Sequence, residues 1–197
     1  MSEARDQILA DVRRALAAAD TSPVTVPRAY RDTGPADVEL FAERVADYRA
    51  VVVRCAADEV EARIADALAG RTRVVVPDGL AWHVDGAVVD DGTLDAADLD
   101  AVEAVVTGAS VGIAETGTIV LSHGPGQGRR ALTLVPDVHV CVVRADQVVA
   151  DVPDAFGLLD PARPTTWVSG PSATSDIELD RVEGVHGPRT LHVILVG

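Results

Sequence analysis

The chain has 197 residues, of which 48% are apolar and only 3% aromatic, and its 17 basic and 31 acidic side chains leave a net charge of −14. All 17 bases are arginine, and the sequence holds neither Lys nor Asn, which excludes a Schiff-base lysine and a phosphate-loop lysine. The acidity opposes binding to a nucleic-acid backbone, and the length allows one well-packed domain with a core of Val, Ala, Leu and Ile.

In chain order, residues 3–19 have the spacing of an amphipathic helix, with Ile8, Val12, Ala15 and Leu16 on one face. Thr21 to Pro35 carries three prolines and reads as a linker. A second helix is expected over residues 37–49, with Val38, Phe41, Val45 and Tyr48 inward. Val51-Val52-Val53 then forms a short strand run. Asp58 and Glu61 have the spacing of a capping box, and Val60, Ile64 and Leu68 continue one helical face to a C-cap at Gly70. Val74-Val75-Val76, ended by Pro77, completes a strand–helix–strand unit and implies a parallel sheet covered on both faces.

Residues 80–100 are acidic, with weak strand signals at Ala87 to Val89. Further strands are expected at Thr118 to Leu121, Leu132 to Val135, Val138 to Val143, Thr165 to Val168 and Leu191 to Val196. Arg144 to Ala150 reads as a helical turn, and another helix is expected to start near Ser175. The fold class is α/β: a single domain with a mainly parallel, Rossmann-like sheet flanked by helices and an antiparallel insertion.

Cys55 and Cys141 are the only cysteines, and their separation fits no metal or CxxC motif. Both are expected to be buried, reduced thiols. The N-terminus is polar rather than a signal peptide, and no run approaches the ~20 apolar residues of a membrane span, so a soluble, cytoplasmic protein is expected.

Three segments carry candidate chemistry. In Gly112-Ile113-Ala114-Glu115-Thr116-Gly117-Thr118, a carboxylate between glycines can sit at the tip of a turn. There Glu115 would be a general base or nucleophile with Thr116 and Gly117 beside the ligand; the alternative is a turn whose Glu faces water. In Gly124-Pro125-Gly126-Gln127-Gly128-Arg129-Arg130, the glycines offer backbone N–H groups, and Arg129 and Arg130 offer bidentate donors for a carboxylate or phosphate. A strand follows this loop, so it is no dinucleotide fingerprint.

The third segment, Gly170-Pro171-Ser172-Ala173-Thr174-Ser175-Asp176-Ile177-Glu178, is followed by Gly184-Val185-His186-Gly187-Pro188. Its functional reading is an anion held by Gly170, Ser172 and Thr174 at a helix N-terminus, with Asp176 as a ligand-facing acid. Ser175 and Glu178 also have the spacing of a capping box, which explains both without chemistry. His186, in a turn, can act as acid, base or positioning donor. Spacing supports no metal site around Asp176, Glu178 and His186, and no GxSxG elbow is present.

Taken together, these motifs, with Leu134-Val135-Pro136 and His139, resemble the lactate utilization protein C family of LUD-domain proteins. The likeness covers nearly the whole chain and is strongest from residue 110 onward. It implies an N-terminal helix and linker over residues 1–35 and a LUD-type α/β domain over 36–197. It also implies a fold similar to the ribose-5-phosphate isomerase, glucosamine-phosphate deaminase and CoA-transferase group. The function implied is a non-redox component of a system that oxidises L-lactate to pyruvate with iron–sulfur partner proteins, binding a small organic or phosphorylated acid. An alternative is a stand-alone isomerase or acyl/CoA-transferase using Glu115. Two departures stand out: Ala173 replaces the family's usual Arg or Lys, and Ser175 its usual Ala. Two cysteines cannot supply the roughly four thiolates of an iron–sulfur cluster, no flavin or nicotinamide fingerprint is present, and no cofactor is expected.

Overall fold

The computed structural model describes residues 2–20, 22–27, 34–171 and 187–197. The expected helix near Ser175 lies outside the described residues. The chain forms two compact units, Met1–Arg31 and Asp32–Gly197.

In the first unit, α1 spans Ser2–Leu16. Its apolar stripe is open: Ile8, Val12 and Leu16 are 63%, 48% and 57% exposed. The periodicity predicted the helix correctly.

The second unit begins with α2 (Val38–Asp47), whose N-cap Asp37 accepts a hydrogen bond from the Leu40 N–H at 3.0 Å. Phe41 and Val45 are buried as expected, and Val38 and Tyr48 are half-buried. β1 (Val51–Cys55), α3 (Val60–Leu68) and β2 (Val74–Pro77) follow. The chain continues through β3 (Val88–Asp90), α4 (Ala96–Asp100) and β4 (Ala104–Gly108). Next come β5 (Val111–Ile113), β6 (Thr118–Leu121), β7 (Val138–Arg144), β8 (Val148–Val149), α5 (Val152–Leu158), β9 (Thr166–Val168) and β10 (Thr190–Val196).

Six strands form a fully parallel sheet in the order β1-β10-β7-β4-β2-β3. The other four form a second sheet, β8-β5-β6-β9, in which β6 runs antiparallel to both β5 and β9. The antiparallel insertion is thus a second layer. Side chains alternate across β7 and are apolar on both faces. Val138, Val140 and Val142 pack with Val60, Ile64 and Leu68 of α3. On the other face, Cys141 and Val143 meet Phe41 and Val45 of α2 together with Ile119 and Leu121 of β6. Ala155 of α5 covers the outer face of the second sheet against Val111, Ile113 and Val120.

Several expectations are corrected. β1 and β2 are parallel, but the α3 crossover skips three strands, because β10, β7 and β4 lie between them. β1 is an edge strand, so Val51 is exposed rather than covered on both faces. The cap of the segment before α3 is Glu59, which accepts from the Ala56 N–H at 3.0 Å, whereas Glu61 accepts from the His83 N–H at 2.9 Å. Ala69 already takes the left-handed conformation expected first at Gly70. Leu132 to Val135 is no strand: Arg130–Thr133 is a 3-10 helix, which sends Leu132 into the core. Both cysteines are free and buried, as expected.

Gly117 holds the β5–β6 turn against α2. Its φ is +60°, and a Cβ there would lie 2.6 Å from the Arg44 carbonyl carbon and 2.8 Å from the Val45 nitrogen. Gly117→Ala therefore combines a left-handed alanine with backbone overlap. We expect urea unfolding to show a loss of about 2–4 kcal/mol.

Candidate functional site

The carboxyl ends of parallel strands in an open α/β sheet are where clefts form and ligands bind. Here β2 ends at Pro77 and β3 at Asp90, and both residues line a cleft of about 540 Å³. The glycine-rich loop after β6 and the segment Arg163–Thr165 before β9 complete it. Its charged lining is Asp78, Asp90, Arg129, Arg130 and Arg163.

The loop is a rigid wall. It curls into one turn, with the N–H groups of Gln127 and Gly128 both donating to the Gly124 carbonyl at 3.1 and 3.3 Å. Gly126 donates to the Asp78 carbonyl at 2.8 Å and accepts from the Gly108 N–H at 2.7 Å, tying the loop to the ends of β2 and β4. Gly128, at φ +71°, lies against Leu132 and Pro77, where a Cβ would come within 2.6 and 2.9 Å. The Gln127 carboxamide oxygen accepts from the Ser122 N–H at 2.6 Å and the Ser110 hydroxyl at 2.9 Å.

The two arginines of the loop do different work. The Arg129 guanidinium grips the buried Asp90 carboxylate through two bonds of 2.9 and 3.0 Å and donates to the Leu94 carbonyl at 2.6 Å. The Asp90 hydrogen bond holds its pKa above the usual arginine value. Arg129 thus fixes the loop to β3. Arg130 and Arg163 are exposed and pair with no carboxylate among the described residues. The cleft therefore offers two available guanidiniums on a chain of net charge −14.

His123 joins the walls. Its Nδ1 lies 2.9 Å from the Gly128 carbonyl and its Nε2 3.0 Å from the Thr166 hydroxyl. A carbonyl only accepts, so Nδ1 donates to Gly128, while Nε2 and the Thr166 hydroxyl pair with each other. The backbone of His123 is left-handed at φ +54°, an uncommon conformation for a non-glycine residue. Sequence reasoning missed His123, Arg163, Asp78 and Asp90. The placement of His123 directly between a strand and a glycine loop is the signal that could have found it.

The Glu115 turn lies elsewhere. It precedes β6 whereas the glycine loop follows it, so a strand length, on the order of 15 Å, separates them. Glu115 is exposed and does not line the cleft; its N–H donates to the Ala150 carbonyl at 3.1 Å. A chain of hydroxyls runs from Thr116 to Thr118 and on to Ser169, with steps of 2.8 Å. Ser169 is followed by Gly170, which packs on Tyr48. Gly112 and Gly117 are both explained by their close approach to α2, through Phe41 and Arg44. The candidates Ser172, Thr174, Asp176, Glu178 and His186 lie outside the described residues.

His139, part of the motif set, is a core residue, fully buried with its Nε2 2.8 Å from the Thr107 hydroxyl. Burial lowers its pKa to about 4. Burial likewise lowers that of His192 and raises that of Cys141 to about 12. Among the described residues, no cluster of His, Cys, Asp and Glu is arranged to hold a metal, and no helix is long and apolar enough to cross a membrane.

Fold and cleft thus define a two-sheet α/β protein with an arginine-bearing pocket at the strand ends. The family model described as LUD domain matches residues 28–196. A Deinococcus radiodurans protein named lactate utilization protein C is 44% identical over 209 aligned positions, covering 100% of this chain and 97% of its own. The Bacillus subtilis protein of the same name is 32% identical over 99 positions, 46% of this chain and 41% of that protein. The crystal structure of a DUF162 family protein from Deinococcus radiodurans superposes with a TM-score of 0.70 at 42% identity, covering 81% of this chain and 95% of the other. The chain belongs to the LUD domain family.

The histidine shift gives a pH prediction. The folded pKa of His139, near 4, lies below the ordinary 6.5, so between these values the unfolded chain binds more protons. Stability is therefore complete above pH 6.5 and falls as the pH drops towards 4, by on the order of 3 kcal/mol. His192 adds to the loss with the same sign. His139→Gln keeps a partner for Thr107 and removes most of this slope, as read by urea unfolding at successive pH values.

Proposed function

We infer that the protein is a non-redox component of an L-lactate-oxidising system and that its cleft holds a small organic acid for that system. The relatives named lactate utilization protein C support the pathway. The observation that carries the binding role is the pair of guanidiniums, Arg130 and Arg163, rimming a cleft without carboxylate partners among the described residues. A planar guanidinium matches a carboxylate through two parallel hydrogen bonds.

The Asp90–Arg129 pair keeps the wall in place, while His123 ties the loop to the start of β9. Turning lactate into pyruvate removes two electrons, and the two cysteines of this chain are too few for an iron–sulfur cluster. The electrons therefore pass through partners or a further cofactor; in this reading the partners are iron–sulfur proteins, and this subunit binds a small organic acid of that system.

Complementation tests the reading. A strain deleted for this gene is expected to lose growth on L-lactate as sole carbon source. The wild-type gene should restore growth, and an Arg130→Gln/Arg163→Gln double variant should not. Growth with the double variant at normal protein level would overturn the binding role. Glu115→Gln should restore growth, since Glu115 stands outside the cleft; its failure would favour the isomerase or transferase alternative.

A further inference from the structure

We propose that the cleft selects a small organic acid with two anionic groups, a dicarboxylate or a phosphorylated carboxylate, one held by Arg130 and the other by Arg163. The proposal rests on the reading of the cleft as an acid-binding site and specifies its ligand class. The first support is the local charge. Asp90 and Arg129 neutralise each other through their bidentate contact, with Asp91 also acting on Arg129, which leaves Arg130 and Arg163 lining the cleft with Asp78 and no carboxylate bound to either among the described residues.

The second support is placement. The two cations come from separate segments, and the curled loop brings those segments together. The Arg163 guanidinium lies over Gly124, with its terminal nitrogens 3.7 and 3.8 Å from where a Cβ would stand. Gly124 begins the one-turn loop, and Arg130 follows two residues after its last glycine. Like charges held on one rim repel each other, and an anion between them relieves that repulsion. A monocarboxylate such as lactate neutralises only one of the two. The third support is side-chain type. With no lysine in the chain, every cation available is a planar fork suited to a carboxylate or phosphate edge.

Isothermal titration of the full-length protein at low ionic strength tests this, with L-lactate, L-malate, 2-phosphoglycolate and inorganic phosphate as probes. At least one of malate and phosphoglycolate should bind roughly tenfold or more tightly than lactate, as expected for one added charge-assisted contact. Preference for malate assigns a dicarboxylate, and preference for phosphoglycolate a phosphorylated acid. Arg130→Gln and Arg163→Gln should each lower dianion affinity by about tenfold. Arg144→Gln, which changes net charge equally at an ion pair with Asp146 outside the cleft lining, should retain the margin; thermal melts verify that each variant is folded.

Lactate binding as tightly as both dianions would overturn the proposal and leave the acid-binding role standing. Binding of no organic acid would overturn both. Inorganic phosphate binding as tightly as the best organic probe, or equal loss in Arg144→Gln, would overturn the proposal in favour of a general anion effect.

Discussion

β7 and β10 are apolar on both faces, and most of the architecture answers to that constraint. A central parallel strand of this kind is stable only with water excluded from both sides. α3 covers one side, and α2 with the second sheet covers the other. The second sheet is therefore part of the core and not an appendage. Because β6 packs against the first sheet while pairing with β9, the loop leaving its end falls beside the ends of β2 and β4. The cleft is the gap left where the two layers diverge at their rim.

Within that gap, the two arginines of the glycine loop differ in their partners. Asp90 is buried at the end of an edge strand, where an unpaired carboxylate would be costly. Arg129 satisfies it and, through the same contact, anchors the loop. Arg130, one residue further, points its charge into no such partnership among the described residues. Two adjacent, chemically identical side chains are thus distinguished, one paired and one without a carboxylate partner among the described residues, by one partner 39 residues away.

That separation explains what sequence could and could not reveal. β6, β7 and β10 are legible because their apolar runs are bounded by Gly, Pro or Asp. β4 and α5 escaped notice; the latter carries Pro153 and Gly157 within seven residues. Leu132 to Val135 has strand composition, yet Pro136 and the demands of the preceding glycine turn leave room only for a 3-10 helix. The glycine loop was recognisable as a tight, arginine-bearing turn from its own residues. Arg163, Asp90 and His123 were not, because their roles depend on the pairing of β6 with β9 and on the position of β3. The Glu115 motif was legible as a turn, but its glycines are set by contact with Phe41 and Arg44, which no local pattern contains.

The exclusive use of arginine has one further consequence. An ammonium group loses its charge near pH 10, whereas a guanidinium keeps it beyond 12. Every cation on the cleft rim is a guanidinium, beyond the reach of acyl groups that cap lysine amines.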